Sequence, residues 1–375
     1  MKSIAFVTGY SLELPAISNR LLPIINEALD HKYHVIIYSP SQARIPNFDH
    51  LIEYRSLPRS INNSRSFYVR ALNELYSSFI LMKEVYNHNH DILFVGIPSI
   101  FLLFFSRAFP SLQILDVRDI AWEYIDDSNP IKYIIKRCFR FIGLKKLRNF
   151  DKIICTNPSE INYFRKRSRL HDSNIILLSN GIRNEQYTSI SSLIQNKFSD
   201  VLNISYIGNI STAQSLDNFV LAAKCLPHVN FHIVGAGRDF SRITALIASL
   251  ELSNCYTYGR IPWPEVLDIY TKTDILFAQL SHTFNTAVPS KLYEYLATGK
   301  FIIYSGSGEA KRLLTQFQNN LVITKPDQDT LVSAIQSVID SGNYLTISNF
   351  NKNLIRKSFI RELNVKNAFP QILSS

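Results

Sequence analysis

Asn285-Thr286-Ala287-Val288-Pro289-Ser290-Lys291-Leu292-Tyr293-Glu294-Tyr295-Leu296-Ala297-Thr298-Gly299-Lys300 reads as the start, body and stop of one short helix. Pro289 and Ser290 suit a helix start, where a serine hydroxyl caps free backbone N–H groups. Gly299 suits the left-handed turn that ends many helices. Lys291 and Glu294 are three residues apart and share one helical face. Exposed N–H groups, the positive end of the helix dipole and a lysine then coincide, which is the chemistry of a phosphate site. Glu294, a turn further on, is placed to accept hydrogen bonds from a ribose. The plain alternative is an amphipathic helix with a Lys–Glu pair.

Context outside the segment favours a ligand site. The β-rich run Ile275–Ala278 precedes it, so the helix starts at the carboxyl edge of a strand, where open α/β sheets bind ligands. Two more strand-to-helix turns in the same half carry glycine, at Gly208-Asn209 and at Gly235-Ala236-Gly237. Similar β-rich runs alternate with helical patterns along the whole chain, which predicts α/β layers with mainly parallel strands. Strands are expected at 4–8, 35–39, 92–95, 113–117, 152–156 and 175–178, then at 204–207, 231–234, 275–278, 301–304 and 321–324. Helices are expected at 20–30, 67–87, 217–225, 238–250 and 330–341. Asp91-Ile92-Leu93-Phe94 is echoed by Asp274-Ile275-Leu276-Phe277, which suggests two similar folding units. The expected division is a first domain over 1–188, a polar linker within 184–199, a second domain over 200–345 and a helical segment over 346–375. Residues 351–369 of that segment are expected as one helix packed back on the first domain.

Composition bounds the functional class. With 375 residues, 46% of them apolar and 19% charged, the chain suits two globular domains. The four cysteines show no metal-ligand spacing. The longest apolar stretch, 92–105, is interrupted and shorter than the roughly 20 residues of a membrane span, and the amino terminus lacks a cleavage-site pattern. Charge is uneven: 131–170 holds twelve Lys or Arg against Asp151 and Glu160, equal to the whole net charge of +10. Such a block fits an anionic lipid surface, an acidic substrate or a solvated helix face. Few aromatics are interleaved as stacking platforms, which argues against nucleic acid.

Ile207-Gly208-Asn209, Val234-Gly235-Ala236-Gly237, Tyr258-Gly259-Arg260-Ile261-Pro262, Asp274-Ile275-Leu276 and Pro289-Ser290-Lys291-Leu292-Tyr293-Glu294-Tyr295 together resemble the donor half of GT-B glycosyltransferases of family 4. Within that family the similarity is to bacterial enzymes that build capsule or O-antigen units on a lipid carrier. The resemblance implies two Rossmann-like domains facing a central cleft. The implied reaction is transfer from a nucleotide-diphosphate sugar, with retention, to a lipid-linked or saccharide acceptor, without cofactor or metal. It puts Glu294 at the donor ribose, Ser290, Lys291 and Leu292 at the diphosphate, and Arg260 and Ile261 at the base. Gly208, Asn209, Gly235 and Gly237 would line the donor side. Thr286 stands where the family has the first glutamate of its E-x7-E motif, and Asn209 begins an uncharged turn where many members carry Arg and Lys. Lys291 is expected to supply the missing charge.

On the acceptor side the candidates are Gly9, Asp116 and Asp119, after the first and the 113–117 strands. Asp119 either faces acceptor or sugar or pairs with Arg118 or Arg107. His31, His34, His88 and His90 are placed in surface turns. Asp327-Gln328-Asp329 matches a metal-holding D-x-D, but capping of the following helix explains both carboxylates. The expected location is the cytoplasm, peripheral to the inner face of the membrane through 131–170. Two rival functions remain, a nucleotide-sugar epimerase of the same fold and an inactive nucleotide-sugar-binding protein.

Overall fold

A computed structural model describes residues 1–45, 49–57, 67–97, 99–125, 129–168, 171–193, 201–325 and 327–374. The chain divides into two compact units, Met1–Asn180 together with Arg361–Ser375, and Gly181–Ile360.

The first unit is built on seven parallel strands: β1 (Ser3–Thr8), β2 (His34–Ser39), β3 (Ile52–Ser56), β4 (Ile92–Ile97), β5 (Leu112–Val117), β6 (Lys152–Cys155) and β7 (Ile175–Leu177). Their order is β3-β2-β1-β4-β5-β6-β7. The central strands are apolar on both faces because helices cover both. On one face Ala5, Val7, Leu93 and Val95 pack under α2 (Phe67–Tyr86), α3 (Ile100–Phe104), α4 (Pro130–Lys146) and α5 (Pro158–Arg167). On the other, Ile4, Phe6, Val35 and Ile37 pack under α1 (Pro15–Asp30) and the last helix, α14 (Arg361–Leu373).

In the second unit six parallel strands run in the order β10-β9-β8-β11-β12-β13. These are β8 (Leu202–Ile207), β9 (Val229–Val234), β10 (Cys255–Gly259), β11 (Ile275–Gln279), β12 (Phe301–Ser305) and β13 (Asn320–Ile323). Its helices are α6 (Asn184–Ser191), α7 (Asp217–Cys225), α8 (Phe240–Ser249), α9 (Trp263–Lys272), α10 (Lys291–Thr298), α11 (Gly308–Leu314), α12 (Gln328–Ser341) and α13 (Asn349–Ser358). Each sheet reverses strand order once, at β1/β4 and at β8/β11, and such switch points open a crevice at the carboxyl ends of the strands.

The sequence echo has a physical meaning at these switch points. The Asp91 carboxylate accepts from the Ser3 N–H at 2.7 Å, and the Asp274 carboxylate accepts from the Asn203 N–H at 2.8 Å. In both units the aspartate before the fourth strand thus ties down the start of the first.

Every expected strand is present, and β3 and β10 are added. Both lie at sheet edges, where half-exposed residues weaken the apolar signal. The expected boundaries shift. Residues 181–188 belong to the second unit, and Asn184–Ser191 is helical, while the rest of the expected linker beyond 193 lies outside the described residues. The terminal helix is two helices: α13 packs on α10 in the second unit and α14 on α1 in the first. Gly181 explains itself at this crossing. A Cβ there would lie 2.1 Å from the Phe359 carbonyl oxygen, which also accepts from the Ile182 N–H at 2.9 Å.

Candidate functional site

Two side chains, Lys291 and Tyr270, converge on Glu294 at the β8/β11 switch point. The Lys291 Nζ lies 3.0 and 2.9 Å from the two carboxylate oxygens, and the Tyr270 hydroxyl donates to Oε2 at 3.1 Å. Glu294 is almost buried, with a side chain 7% exposed, whereas Lys291 is 38% exposed and borders solvent. Trp263 comes from the first turn of α9, and its ring centre lies 6.0 Å from the Lys291 ammonium. Tyr270 stands two turns further along the same helix. Burial, then the neighbouring Glu294, push the Tyr270 hydroxyl well above the ordinary tyrosine range, so it remains a donor.

The second turn of α10 is fixed to the sheet through Tyr295. Its hydroxyl donates to the Ile207 carbonyl at 2.9 Å and accepts from the Ile207 N–H at 2.6 Å. Both polar groups of the last β8 residue are thereby satisfied by one side chain. The loops after β8 and β11 are joined as well, by Ser281 N–H to the Ala213 carbonyl at 2.8 Å and by Gln279 Nε2 to the Ser215 carbonyl at 2.6 Å. Gly299 ends α10 at φ +72°. Ser290 departs from expectation: it is exposed, has helical φ and ψ, and makes no side-chain cap bond. Leu292 is fully buried, so only its backbone is left to face a ligand.

The expected floor glycines answer first to the protein's own backbone. A Cβ on Gly235, whose φ is +134°, would stand 1.8 Å from the Gly208 carbonyl oxygen. One on Gly237 would stand 2.0 Å from the Ile210 carbonyl oxygen. These turns are stitched by Gly208 N–H to the Val234 carbonyl (2.9 Å) and Ile210 N–H to the Ala236 carbonyl (3.1 Å). Asn209 is exposed, and its carbonyl accepts from the Tyr206 hydroxyl at 2.5 Å. Arg260 is exposed and Ile261 half-buried just after β10, and Thr286 is half-buried in the loop before α10.

In the first unit the carboxyl edge holds a buried charge network. Asp116 has no exposed surface and accepts from Arg20 Nη2 at 2.7 Å and from Arg20 Nε at 3.2 Å, with Arg118 Nε 3.6 Å away. Burial raises the Asp116 carboxyl, but the two guanidinium groups outweigh it and hold it below the usual range. Asp116 is therefore occupied by arginine and does not face an acceptor. Asp119 is partly exposed, accepts from the Tyr124 hydroxyl at 3.2 Å, and is pushed by burial up to about 6. Arg107 instead lies over the Tyr86 ring at 4.5 Å. Gly9 is required by Ser99, whose Cβ would lie 2.5 Å from a Cβ at that position.

Glu160 was not singled out by sequence. It has no exposed surface, accepts from the Thr156 N–H at 2.6 Å and from its hydroxyl, and is pushed by burial up to about 8. The Asn157-x-x-Glu160 spacing, like a capping box, is the local signal that could have found it. His90 is also corrected: it is buried against the Tyr38 hydroxyl at 3.1 Å, and burial lowers its pKa. Asp327 caps α12, accepting from the Thr330 N–H at 2.8 Å and its hydroxyl at 2.9 Å. Among the described residues no group of three or more His, Cys, Asp or Glu is placed to hold a metal ion.

Residues 192–357 match the family model described as Glycosyl transferases group 1. The whole chain is similar in fold to three solved structures. Sucrose-phosphate synthase from Thermosynechococcus elongatus is 15% identical, with a TM-score of 0.75 and 99% of each chain covered. WaaG, a glycosyltransferase involved in lipopolysaccharide biosynthesis, is 15% identical, with a TM-score of 0.74 and coverage of 99% of this chain and 100% of that one. HepE from Anabaena, solved in complex with UDP-glucose, is 14% identical, with a TM-score of 0.72 and coverage of 100% and 99%. No curated protein matches the chain by sequence. The chain thus has the GT-B glycosyltransferase fold, and residues 192–357 of its second unit are similar to the group 1 glycosyltransferase model.

Proposed function

We propose that the protein is a glycosyltransferase that moves a sugar from a nucleotide-diphosphate sugar to the hydroxyl of a lipid-linked or saccharide acceptor. The observation that carries this reading is Lys291 beside Glu294 at the start of α10, on the switch point of a sheet that matches the group 1 domain. In the reaction the acceptor oxygen bonds to the anomeric carbon. The bond from that carbon to the diphosphate oxygen breaks and its electron pair leaves with the diphosphate. The acceptor proton passes to a phosphate oxygen, and the configuration is retained. Negative charge grows on the diphosphate, and Lys291 with the N–H groups of α10 meets it in place, which is a large catalytic term when the donors are fixed beforehand. Glu294 holds the ribose, Arg260 and Ile261 border the base, and Thr286 lies nearest the sugar. Asp119, whose raised pKa suits proton exchange near neutrality, is the acceptor-side carboxyl.

Nucleotide-sugar consumption, measured with and without saccharide or lipid acceptors, tests the reading. Consumption should depend on acceptor and persist in excess chelator. An epimerase would convert the donor without acceptor, and an inactive binding protein would leave it unchanged. Loss of activity in chelator, restored by magnesium, would overturn the metal-free reaction.

The lipid-linked acceptor is supported by the outer face of the first unit's helix layer. On α4, Ile131, Tyr133, Ile134, Ile135 and Phe141 are 41–69% exposed, beside Lys132, Lys136 and Arg137. On α2, Val69, Leu72, Tyr76 and Phe79 form a second exposed stripe at helical spacing. The stripes are linked through rings: Phe79 meets Phe105 at 5.4 Å, and Phe104 meets Phe139 at 5.1 Å. Of the apolar residues of α4, only part is core, and a contiguous exposed apolar surface of this kind marks an interaction site. Among the described residues no helix is long and apolar enough to cross a membrane. A surface that is both apolar and basic suits the headgroup layer of an anionic bilayer, and this supports a peripheral position at the inner face of the cytoplasmic membrane. Arg140 is engaged by Glu123 at 2.5 and 2.7 Å and is left out of the test.

Sedimentation with anionic vesicles should recover the protein at low salt. Recovery should fall as salt shortens the screening length from about 10 Å at 0.1 M to about 3 Å at 1 M. Changing Lys132, Lys136 and Arg137 together to Gln should cost about 1 kcal/mol per charge, or roughly a hundredfold in partitioning. Equal recovery on neutral and anionic vesicles would sink the docking surface.

A further inference from the structure

The two tryptophans sit in different settings. Trp122 is fully buried in the first unit, whereas Trp263 is half-buried at the edge of the candidate donor site. Trp263 opens α9 immediately after Arg260-Ile261-Pro262, at the carboxyl end of β10, and reaches toward α10. A cation near an aromatic face is held by the ring's quadrupole, and at 6.0 Å the Lys291 ammonium is at the outer limit of that attraction. The same ammonium is ion-paired with Glu294. In the free protein one cation thus neighbours two groups, a carboxylate that pairs with it and an indole face at the edge of its reach. A diphosphate carries more negative charge than Glu294 alone and competes for that cation.

We propose that Trp263 is a donor-binding residue: the indole face beside Lys291 receives the nucleoside of a nucleoside diphosphate when the diphosphate draws the ammonium away. This rests on the transferase reading of the site and adds to it a stacking partner for the base. Stacking on an aromatic ring tolerates any base, so Trp263 supplies affinity while the backbone at Arg260 and Ile261 supplies selection. Glu294, released from Lys291, keeps the Tyr270 hydrogen bond at 3.1 Å and so stays oriented for the ribose.

The test uses the full-length protein, intrinsic tryptophan emission and calorimetry, with inorganic pyrophosphate, UDP, GDP and ADP as probes. Pyrophosphate should alter the emission of the parent but not of Trp263→Phe, because Trp122 is fully buried in the core of the first unit. At least one nucleoside diphosphate should bind the parent more tightly than pyrophosphate does. Trp263→Ala should weaken that nucleotide roughly tenfold to a hundredfold while leaving pyrophosphate affinity unchanged. Trp263→Phe should recover most of the loss, and because Trp263 also packs on the second unit's core, it is the unchanged pyrophosphate affinity of Trp263→Ala that shows the site still folded. Equal nucleotide affinity in parent and Trp263→Ala, or equal loss for nucleotide and pyrophosphate, overturns the stacking role and leaves the transferase reading standing. A parent that binds none of the four probes overturns both.

Discussion

Replacing Lys291 by alanine is expected to lower kcat/KM for the donor by roughly tenfold to more than a hundredfold. A charge-assisted hydrogen bond to a phosphate contributes about 1.5 to 3 kcal/mol, and a contact that strengthens as charge develops appears in kcat as well as in KM. Steady-state kinetics on donor concentration checks it. Glu294→Ala should cause a loss of similar size, weighted toward KM, because a ribose contact is made alike in ground state and transition state. The Lys291 end of the pair is partly solvated and screened, and the Tyr270 hydroxyl still donates to the nearly buried Glu294 when Lys291 is removed. Both variants should therefore stay folded, and full activity in both would show that the donor site lies elsewhere.

The other large effect is structural and lies in the first unit. Arg20→Met removes the guanidinium that holds Asp116 and leaves a carboxylate with no exposed surface short of its main partner. Breaking a buried pair on one side costs about 3–5 kcal/mol, which in a domain of this size lowers its melting temperature by about 10 °C. Calorimetry should show the first unit's transition move by that amount while the second unit's holds. Adding Asp116→Leu should recover most of the loss, because removing both charges is far less costly than removing one. The parent Asp116 carboxyl is held below its unfolded range, so its contribution is present above about pH 4 and fades on acidification. The gap between parent and variant should narrow accordingly below that pH. A shift under 2 °C at neutral pH would mean that Arg118 holds Asp116 unaided.

What was legible in the sequence divides along physical lines. Strands buried on both faces announce themselves as apolar runs, and β1, β4, β8 and β11 were readable for that reason. β3 and β10 were not, because Glu53, Arg55, Tyr256 and Tyr258 interrupt the pattern at sheet edges. Lys291 and Glu294 were legible because one helix sets their spacing. Tyr270 and Trp263 were not, since α9 brings them to α10 from more than twenty residues away. Asp116 shows the same limit: its position after a strand suggested an acceptor role, but its partner Arg20 lies 96 residues earlier. The glycines at 235 and 237 were legible as strand-to-helix turns, and what those turns approach closely is backbone of the same unit.

The return of α14 to the first unit has a consequence for biosynthesis. Val365, Phe369 and Ile372 complete the apolar layer over α1, yet they are translated only after all of Gly181–Ile360. At about 5–20 residues per second, the ribosome needs on the order of ten to forty seconds to cross that insert. During that interval the nascent first unit carries an uncovered patch around Ile17, Leu21 and Ile24, open to a chaperone or to another chain on the same message. Deleting α14 would make that transient condition permanent, so the truncated protein should be recovered in aggregates even though every catalytic group is intact.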